Sequence, residues 1–228
     1  MSIKHDEKLG IYLLFSRLFR EPPDERLLAE IVGKQLLTII YDLEETQQEP
    51  GTLLEERRWC SNVEKIAVEY AALFVVPGEH SIIPYGSFYC DAVVIDTSTA
   101  CSAYFPSESI REWGVKGLIA GPSANAAKKI YLQQGYRMEM EGYMLPDHIA
   151  CELEFIGRMY REGKIDVAKT FFQNFLSPWV FFFLNKLKQQ NYSKFYQNVA
   201  ISLDKFLQQE FRDIFPVGTM VTSGCEKT

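Results

Sequence analysis

The sequence predicts an all-α fold, and three observations support that prediction. Apolar residues recur three and four positions apart through most of the chain, which places them on one side of an α-helix. The run 92–95 has strand propensity, but no second run offers it a partner. The chain has 228 residues, of which 47% are hydrophobic, enough to bury one substantial core. We therefore expect one helical domain over residues 1–215, followed by a flexible tail at 216–228.

Three amphipathic helices are predicted in the first third of the chain. The apolar stripe that includes Leu18 stops at Pro22, because proline has no N–H for the helical hydrogen-bond ladder. Asp24 can cap the second helix, since its carboxylate can accept hydrogen bonds from backbone N–H groups of the first turn. The third helix carries Tyr70 on its apolar stripe and must end before Pro77.

The stretch 79–105 breaks this helical pattern. It contains the turn-like run 84–87, which reads Pro-Tyr-Gly-Ser. We expect this stretch to be a long ordered loop. A loop of this length in a compact domain is more often functional than accidental. Helices are predicted to resume near Ser107 and again over 122–134, where Gly135 is a suitable C-terminal stop.

The stretch 145–156 combines a helix start with the densest polar chemistry in the sequence. Pro146 suits a first helical position, where its missing N–H would have had no intrahelical partner. That start places Asp147 in the first turn, where the helix dipole favours an anion. The apolar residues that follow recur at helical spacing. We therefore expect Asp147 and His148 at the mouth of a helix anchored in the core.

Three further helices complete the prediction. Gly163 marks a break before the first of them. Ser177-Pro178 has the pattern of an N-cap and a first helical residue, so the next helix is expected to start at Trp179 and to turn Phe182 partly toward the core. The last long helix holds its apolar face over 195–206.

Composition narrows the range of functions. Basic residues number 24 and acidic residues 30, a net charge of −6, which argues against a nucleic-acid surface and allows a basic partner. The five cysteines form no Cys-x-x-Cys pair, which favours a reduced cytosolic protein over a disulfide framework or a zinc site. The N-terminus is charged, and the most apolar segment, 175–184, is too short to span a bilayer. We expect a cytoplasmic protein without membrane insertion.

The polar residues at the start of the central helix allow three interpretations. His148 and Glu152 lie four positions apart, as do Asp147 and Cys151, a spacing that suits metal ligands. The two pairs point about 100° apart on a helix, however, and no second helix offers a histidine. Asp147 and His148 also suit acid/base chemistry, but helical neighbours do not face each other and no nucleophile motif accompanies them. We favour the third interpretation, a capped helix start facing a groove, with no metal, cofactor or catalytic residue.

The aromatic residues allow two interpretations. Tyr70, Leu73 and Phe74 fit the core stripe of a helix, which is the favoured interpretation for Leu73. Tyr70 and Tyr85 are expected to be partly exposed, because a phenol needs a polar partner and aromatic side chains anchor peptide grooves. The run 84–87 is either a simple turn or part of such a groove.

Three separated motifs carry a family resemblance. They are Tyr70, Leu73-Phe74, Pro77-Gly78 and Pro84-Tyr85-Gly86-Ser87-Phe88-Tyr89; Pro146-Asp147-His148-Ile149 with Glu152-Leu153 and Phe155; and Phe175-Leu176 with Pro178-Trp179 and Phe195-Tyr196. Together they resemble the TorD/DmsD/NarJ family of cytoplasmic chaperones, also called redox enzyme maturation proteins, over about residues 8 to 212. The sequence departs from the family at Leu145, where an acidic residue is common, and at Asn174, where histidine is frequent.

The resemblance implies an all-α, TorD-like bundle and a role in assembly, not in catalysis. Proteins of this family bind the N-terminal leader, typically a twin-arginine signal, of a molybdopterin-dependent oxidoreductase subunit. They hold that subunit back from export until its cofactor is inserted and folding is complete. The expected partners are therefore a leader peptide and the apo catalytic subunit. The identity of the client stays open, as does the oligomeric state, a monomer or a dimer with exchanged helices.

A leader of this kind carries two arginines before an apolar stretch, so its receptor needs carboxylates beside an aromatic groove. Asp147, Glu141 or Glu152 can supply the carboxylates, and we expect Asp147 to pair with a leader guanidinium. The predicted peptide-binding residues are Tyr70, Leu73, Phe74, Pro84, Tyr85, Gly86, Ser87, Glu141, Asp147, His148 and Glu152. The alternative is a small helical metal-dependent hydrolase that uses Asp147, His148 and Glu152.

Overall fold

The computed structural model describes residues 5–33, 62–91, 119–138 and 144–214, and these residues are organised by α-helices. The helices are α1 (His5–Arg20), α2 (Glu25–Gly33), α3 (Val63–Tyr70), α4 (Gly86–Cys90), α5 (Pro122–Gln133), α6 (Ile149–Arg161), α7 (Ile165–Phe171), α8 (Ser177–Gln189) and α9 (Lys194–Ile214). Two π-helical turns, Ala71–Val75 and Phe172–Leu176, follow α3 and α7 without a break. The prediction of an all-α fold is confirmed.

Several helix ends lie where the sequence predicts them. α1 ends at Arg20, just before the prolines, and the Asp24 carboxylate caps α2 by accepting a hydrogen bond from the Leu27 N–H at 2.7 Å. Gly135 and Gly163 follow α5 and α6 with φ of 73° and 71°, the left-handed conformation that glycine adopts without strain.

The core is built around α6, which is buried along nearly its whole length. α6 packs along α1, and α8 packs along α9. The α1–α6 approach is close: a Cβ placed at Gly157 would lie 3.0 Å from the Cβ of Tyr12. Because no larger residue would fit at this position without movement, the helix pair depends on that glycine.

A buried ionic network ties the last helix to the first. Glu210, which is 1% exposed, accepts hydrogen bonds from the hydroxyls of Tyr12 at 3.1 Å and Tyr160 at 2.9 Å. Lys8 forms an ion pair with the same carboxylate. The network therefore joins α1, α6 and α9 at one end of the bundle.

Three details of the predicted helices are wrong. α6 begins at Ile149 and not at Pro146, because the His148 side chain supplies the cap. α8 begins at Ser177 and not at Trp179, because the π-helical turn leads directly into it and Ser177 already has helical φ and ψ. Phe182 is 68% exposed and points away from the core.

The loop predicted over 79–105 is wrong in part, because Gly86–Cys90 forms the short helix α4. Other predictions lie outside the described residues: the helix near Ser107, the part of the loop beyond residue 91, the carboxylate of Glu141, and the tail 216–228. The single-domain division therefore stays a prediction. Among the helices that the structure describes, none is both long and apolar enough to cross a membrane.

Candidate functional site

Residues 84–87, of which Gly86 and Ser87 begin α4, are docked on Asp147 and the start of α6. The Asp147 carbonyl accepts a hydrogen bond from Gly86 N–H at 2.8 Å, and its carboxylate oxygen Oδ2 accepts one from Ser87 N–H at 2.7 Å. The Ile149 N–H donates to the carbonyl of Pro84 at 3.0 Å. We call residues 84–87 the docked turn. These bonds bring two of the sequence motifs into direct contact.

His148 holds the start of α6 and contacts the docked turn. Its Nδ1 accepts a hydrogen bond from the Ala150 N–H at 3.1 Å, which is the capping bond. The imidazole also meets the Tyr85 ring edge to face, with 4.9 Å between ring centroids. Burial, and then the nearby charge of Arg20, lower the pKa of His148 to about 3. The ring is therefore neutral at physiological pH and acts as an acceptor.

Asp147 serves the docked turn and does not face solvent. It precedes α6 by two residues, so the expected first-turn position is wrong, and it is only 1% exposed. Its second carboxylate oxygen, Oδ1, is buried and has no hydrogen-bond partner among the residues that the structure describes. In this conformation the carboxylate organises backbone N–H groups of its own chain. Its pairing with a leader guanidinium stays a prediction.

Tyr70 and Leu73 belong to the core. Tyr70 is 7% exposed, so the expectation of partial exposure is wrong. Its hydroxyl finds polar partners inside the protein, donating to the carbonyls of Phe19 at 3.2 Å and Arg20 at 2.8 Å at the end of α1. Leu73 is fully buried, as its core interpretation predicts.

Four half-buried aromatic side chains lie on the π-helical turn after α3, on the docked turn and on α4, and we call them the aromatic surface: Phe74, Tyr85, Phe88 and Tyr89. Phe74 packs edge to face against Tyr196 of α9, with 5.1 Å between centroids. The partial exposure predicted for Tyr85 is confirmed. Burial, and then the negative charge of Asp147, raise the pKa of Tyr85, so its hydroxyl stays protonated.

Trp179, from the third sequence motif, also contacts the docked turn. Its indole N–H donates to Glu152 Oε2 at 3.1 Å, and its ring stacks on Tyr89 with 5.5 Å between centroids. A Cβ at Gly86 would lie 2.8 Å from the indole nitrogen. Only glycine allows the docked turn to approach the indole this closely.

A pocket of about 370 Å³ opens beside this contact, between α4, α5 and the start of α8, and we call it the Glu152 pocket. Its lining includes Cys90, Ser123, Glu152, Asn174, Phe175 and Trp179. Asp91 fixes α5 against α4, because its carboxylate oxygen Oδ2 accepts a hydrogen bond from Ser123 N–H at 2.9 Å. Burial, and then the charge of Asp147, raise the pKa of Glu152 well above its ordinary value.

The geometry does not favour a metal-dependent hydrolase. His148 Nδ1 is occupied by the capping bond, and Glu152 is bonded to an indole. In the described part of the chain, no group of three or more His, Cys, Asp or Glu side chains could hold a metal ion. The carboxylates are instead used to position backbone and aromatic groups.

The structure brings together most of the predicted site residues, and it adds others. The docked turn, Asp147, His148 and Glu152 form one cluster, while Glu141 lies outside the described residues. From the sequence, Trp179 is most simply a core residue, and it is fully buried; no role in the site is predicted for Trp179, Cys90 or Ser123. The signal for Trp179 was its place in the third motif.

Comparison with known proteins agrees with these motifs. The family model described as "Nitrate reductase delta subunit" matches residues 41–185. The chaperone protein TorD of Vibrio parahaemolyticus is 22% identical over 222 residues, which cover 89% of this chain and 92% of that protein. A crystal structure of a candidate redox enzyme maturation protein from Archaeoglobus fulgidus is 20% identical, with a TM-score of 0.49, and the match covers 91% of this chain and 96% of the other.

Proposed function

The chain belongs to the nitrate reductase delta subunit family, the TorD/NarJ group of redox enzyme maturation chaperones, and we propose that it binds the N-terminal leader of a molybdopterin-dependent oxidoreductase subunit. In this proposal the chaperone acts in the cytoplasm on the apo catalytic subunit. It supports cofactor insertion and delays export of the subunit until folding is complete. Its activity is binding, without catalysis.

One observation carries the proposal: three motifs that are distant in sequence meet around the docked turn. Backbone hydrogen bonds from Gly86 and Ser87 to Asp147 fix the turn against α6, and Trp179 closes it from α8. A turn held on both sides presents the ring of Tyr85 in a fixed position. Such pre-ordered aromatic side chains are typical anchors for a peptide.

The chemistry of the surrounding surface fits a basic, apolar segment. The aromatic surface offers four half-buried rings beside a helical scaffold, and apolar helical peptides bind to surfaces of this kind. The net charge of −6 favours a partner that carries arginines. The aromatic surface therefore complements the apolar stretch of a twin-arginine leader, and the negative net charge complements its two arginines.

Calorimetric titration with synthetic leader peptides tests the proposal. The peptides are the leaders of molybdoenzyme subunits from the same genome, each beside a version with both arginines changed to glutamine. We expect one leader to bind and its changed version to bind more weakly. If no leader binds the folded protein at high peptide concentration, the proposal fails.

A pair of variants tests the aromatic part of the proposal. Tyr85→Ser removes a half-buried ring from the aromatic surface, whereas Phe211→Ser removes a ring of α9 that is 39% exposed. Tyr85→Ser is expected to weaken leader binding about 10-fold or more, the range of a binding hot spot. Phe211→Ser should leave the affinity unchanged, and equal losses in the two variants would contradict a specific role for the aromatic surface.

A further inference from the structure

The floor of the Glu152 pocket is a carboxyl group with incomplete hydrogen bonding. Glu152 is 2% exposed and lines the pocket. Oε2 accepts the Trp179 indole N–H at 3.1 Å. Its other oxygen accepts a hydrogen bond from none of the residues that the structure describes. Because a carboxylate can accept about four hydrogen bonds, this group has capacity left for a ligand.

Among the residues that the structure describes, no cation forms an ion pair with Glu152. The nearby charge that acts on it is Asp147, which has the same sign. Arg20, whose charge acts on the neighbouring residues His148 and Cys151, is bound to Glu154. A buried carboxyl is either paired with a cation or kept neutral by a proton. Without a cation from the described residues, Glu152 is available to a cation from another molecule that replaces its proton.

We propose that the Glu152 pocket receives one arginine side chain of the leader, with the guanidinium bound to the Glu152 carboxylate. The inference rests on the proposed function and deepens it, because it assigns one residue of the leader to one pocket. It also changes the acceptor: Glu152, which lines an open pocket, takes the role that the sequence suggested for Asp147.

The size and walls of the pocket select a planar cationic side chain. A volume of about 370 Å³ is at the small end for ligand sites, enough for one side chain and too small for a large cofactor. Half-buried Phe175 lines the pocket, and a guanidinium stacks well on aromatic faces, whereas Trp179 is fully buried and already stacks on Tyr89. Asn174, which is exposed, adds an amide oxygen that can accept an N–H.

Proton release gives this binding mode a measurable signature. Burial, and then the charge of Asp147, raise the pKa of Glu152, so the free carboxyl keeps its proton to a higher pH than an exposed glutamate does. A guanidinium in contact favours the ionised carboxylate. The proton must then leave to solvent as the arginine binds. A glutamate that only supports the fold would not release a proton when the leader binds.

The test uses the leader that binds in the titration above, with each arginine changed singly to citrulline, which keeps the shape and loses the charge. Titrations in two buffers with different ionisation enthalpies measure proton release. The variant is Glu152→Gln, which keeps an oxygen acceptor for Trp179. The matched control is Glu162→Gln, an exposed acid at the end of the same helix.

A second measurement uses arginine methyl ester as the probe, with citrulline methyl ester as its control. The chain has three tryptophans, so an NMR spectrum shows three indole N–H resonances, and the one that Glu152→Gln moves belongs to Trp179. We expect arginine methyl ester to shift that resonance in the wild type and not in Glu152→Gln.

For the leader, we expect Glu152→Gln to weaken binding about 10- to 100-fold, the effect of losing a hydrogen bond between charged groups. It should also abolish proton release, whereas Glu162→Gln should match the wild type. The change of one leader arginine to citrulline should weaken binding to the wild type. The same change should cause no further loss of affinity for Glu152→Gln.

The outcomes separate the two proposals. If the leader binds with arginine dependence but Glu152→Gln changes neither affinity nor proton release, the pocket inference is overturned and the proposed function stands. If arginine methyl ester shifts the Trp179 resonance while no leader binds, the pocket accepts guanidinium but the proposed function fails. If neither probe nor leader binds, both proposals fall.

Discussion

The substitution Gly86→Ala tests the contact that joins the docked turn to α8. The added Cβ would lie 2.8 Å from Trp179 Nε1 and 3.2 Å from two further ring atoms. The indole cannot move aside easily, because it is 0% exposed and its N–H is bonded to Glu152. Overpacking of this kind costs about 1–3 kcal/mol, and weakening a buried hydrogen bond adds about 1 kcal/mol.

The sum has a central value of about 3 kcal/mol, which corresponds to a decrease in melting temperature of about 6–12 °C for a chain of this length. Thermal unfolding followed by circular dichroism measures it. Gly10→Ala is the matched control, because a Cβ at Gly10, inside α1, meets nothing within 4 Å. Alanine at that position should keep or slightly raise the melting temperature, since glycine destabilises a helix interior by about 0.5–1 kcal/mol.

If Gly86→Ala has the same melting temperature as the wild type, the predicted clash with the indole is refuted. A second result would refute it more specifically. In Trp179→Phe the clashing nitrogen is absent, so Gly86→Ala should cost less in that background than in the wild type. Equal costs in the two backgrounds would place the effect of Gly86→Ala elsewhere than at the indole.

Three further substitutions follow from the buried carboxyl groups. Asp147→Ala leaves the Ser87 N–H buried without an acceptor and should lower the free energy of unfolding by about 1–3 kcal/mol in a denaturant titration, whereas Asp147→Asn keeps an acceptor and most of that stability. Because the folded state raises the pKa of Glu152, it holds that proton more tightly than the unfolded state, and the contribution of Glu152 to the free energy of unfolding decreases as pH rises above about 4.3. Glu152→Gln should therefore melt above the wild type at pH 8, and the difference should vanish as the pH approaches about 4. Glu210→Ala leaves Lys8 without its closest carboxylate and should cost about 3 kcal/mol, the lower end for a broken buried pair, because a second carboxylate still reaches Lys8 at 3.3 Å.

Helix ends were predictable where one residue determines the backbone. Prolines stop α1, and Gly135 and Gly163 adopt the left-handed conformation that ends α5 and α6. The start of α6 was not predictable in the same way. Pro146 has the right chemistry for a first helical residue, but the backbone before Ile149 is held by tertiary hydrogen bonds to the docked turn, and these prevent the helix from starting earlier.

The exposure of single aromatic residues was predictable only in part, because it depends on which helix lies opposite. Tyr70 is buried since the end of α1 offers carbonyls to its hydroxyl, a partner that no local pattern in the sequence reveals. Phe182 is exposed although its neighbour Phe183 is fully buried. In a run of three phenylalanines, periodicity alone does not identify the residue that faces the core.

The sequence motifs contain two kinds of residue, and the structure separates them by burial. Asp147, Gly86 and Ser87 use their polar groups on one another. Under the proposed function, we therefore expect their substitution to change leader binding by moving the docked turn. Tyr85 keeps part of its ring exposed, and Glu152 lines an open pocket. Loss of binding in an Asp147 variant therefore does not identify a contact with the leader unless the variant's stability is measured beside it, and Tyr85 and Glu152 are the positions where binding and stability should separate.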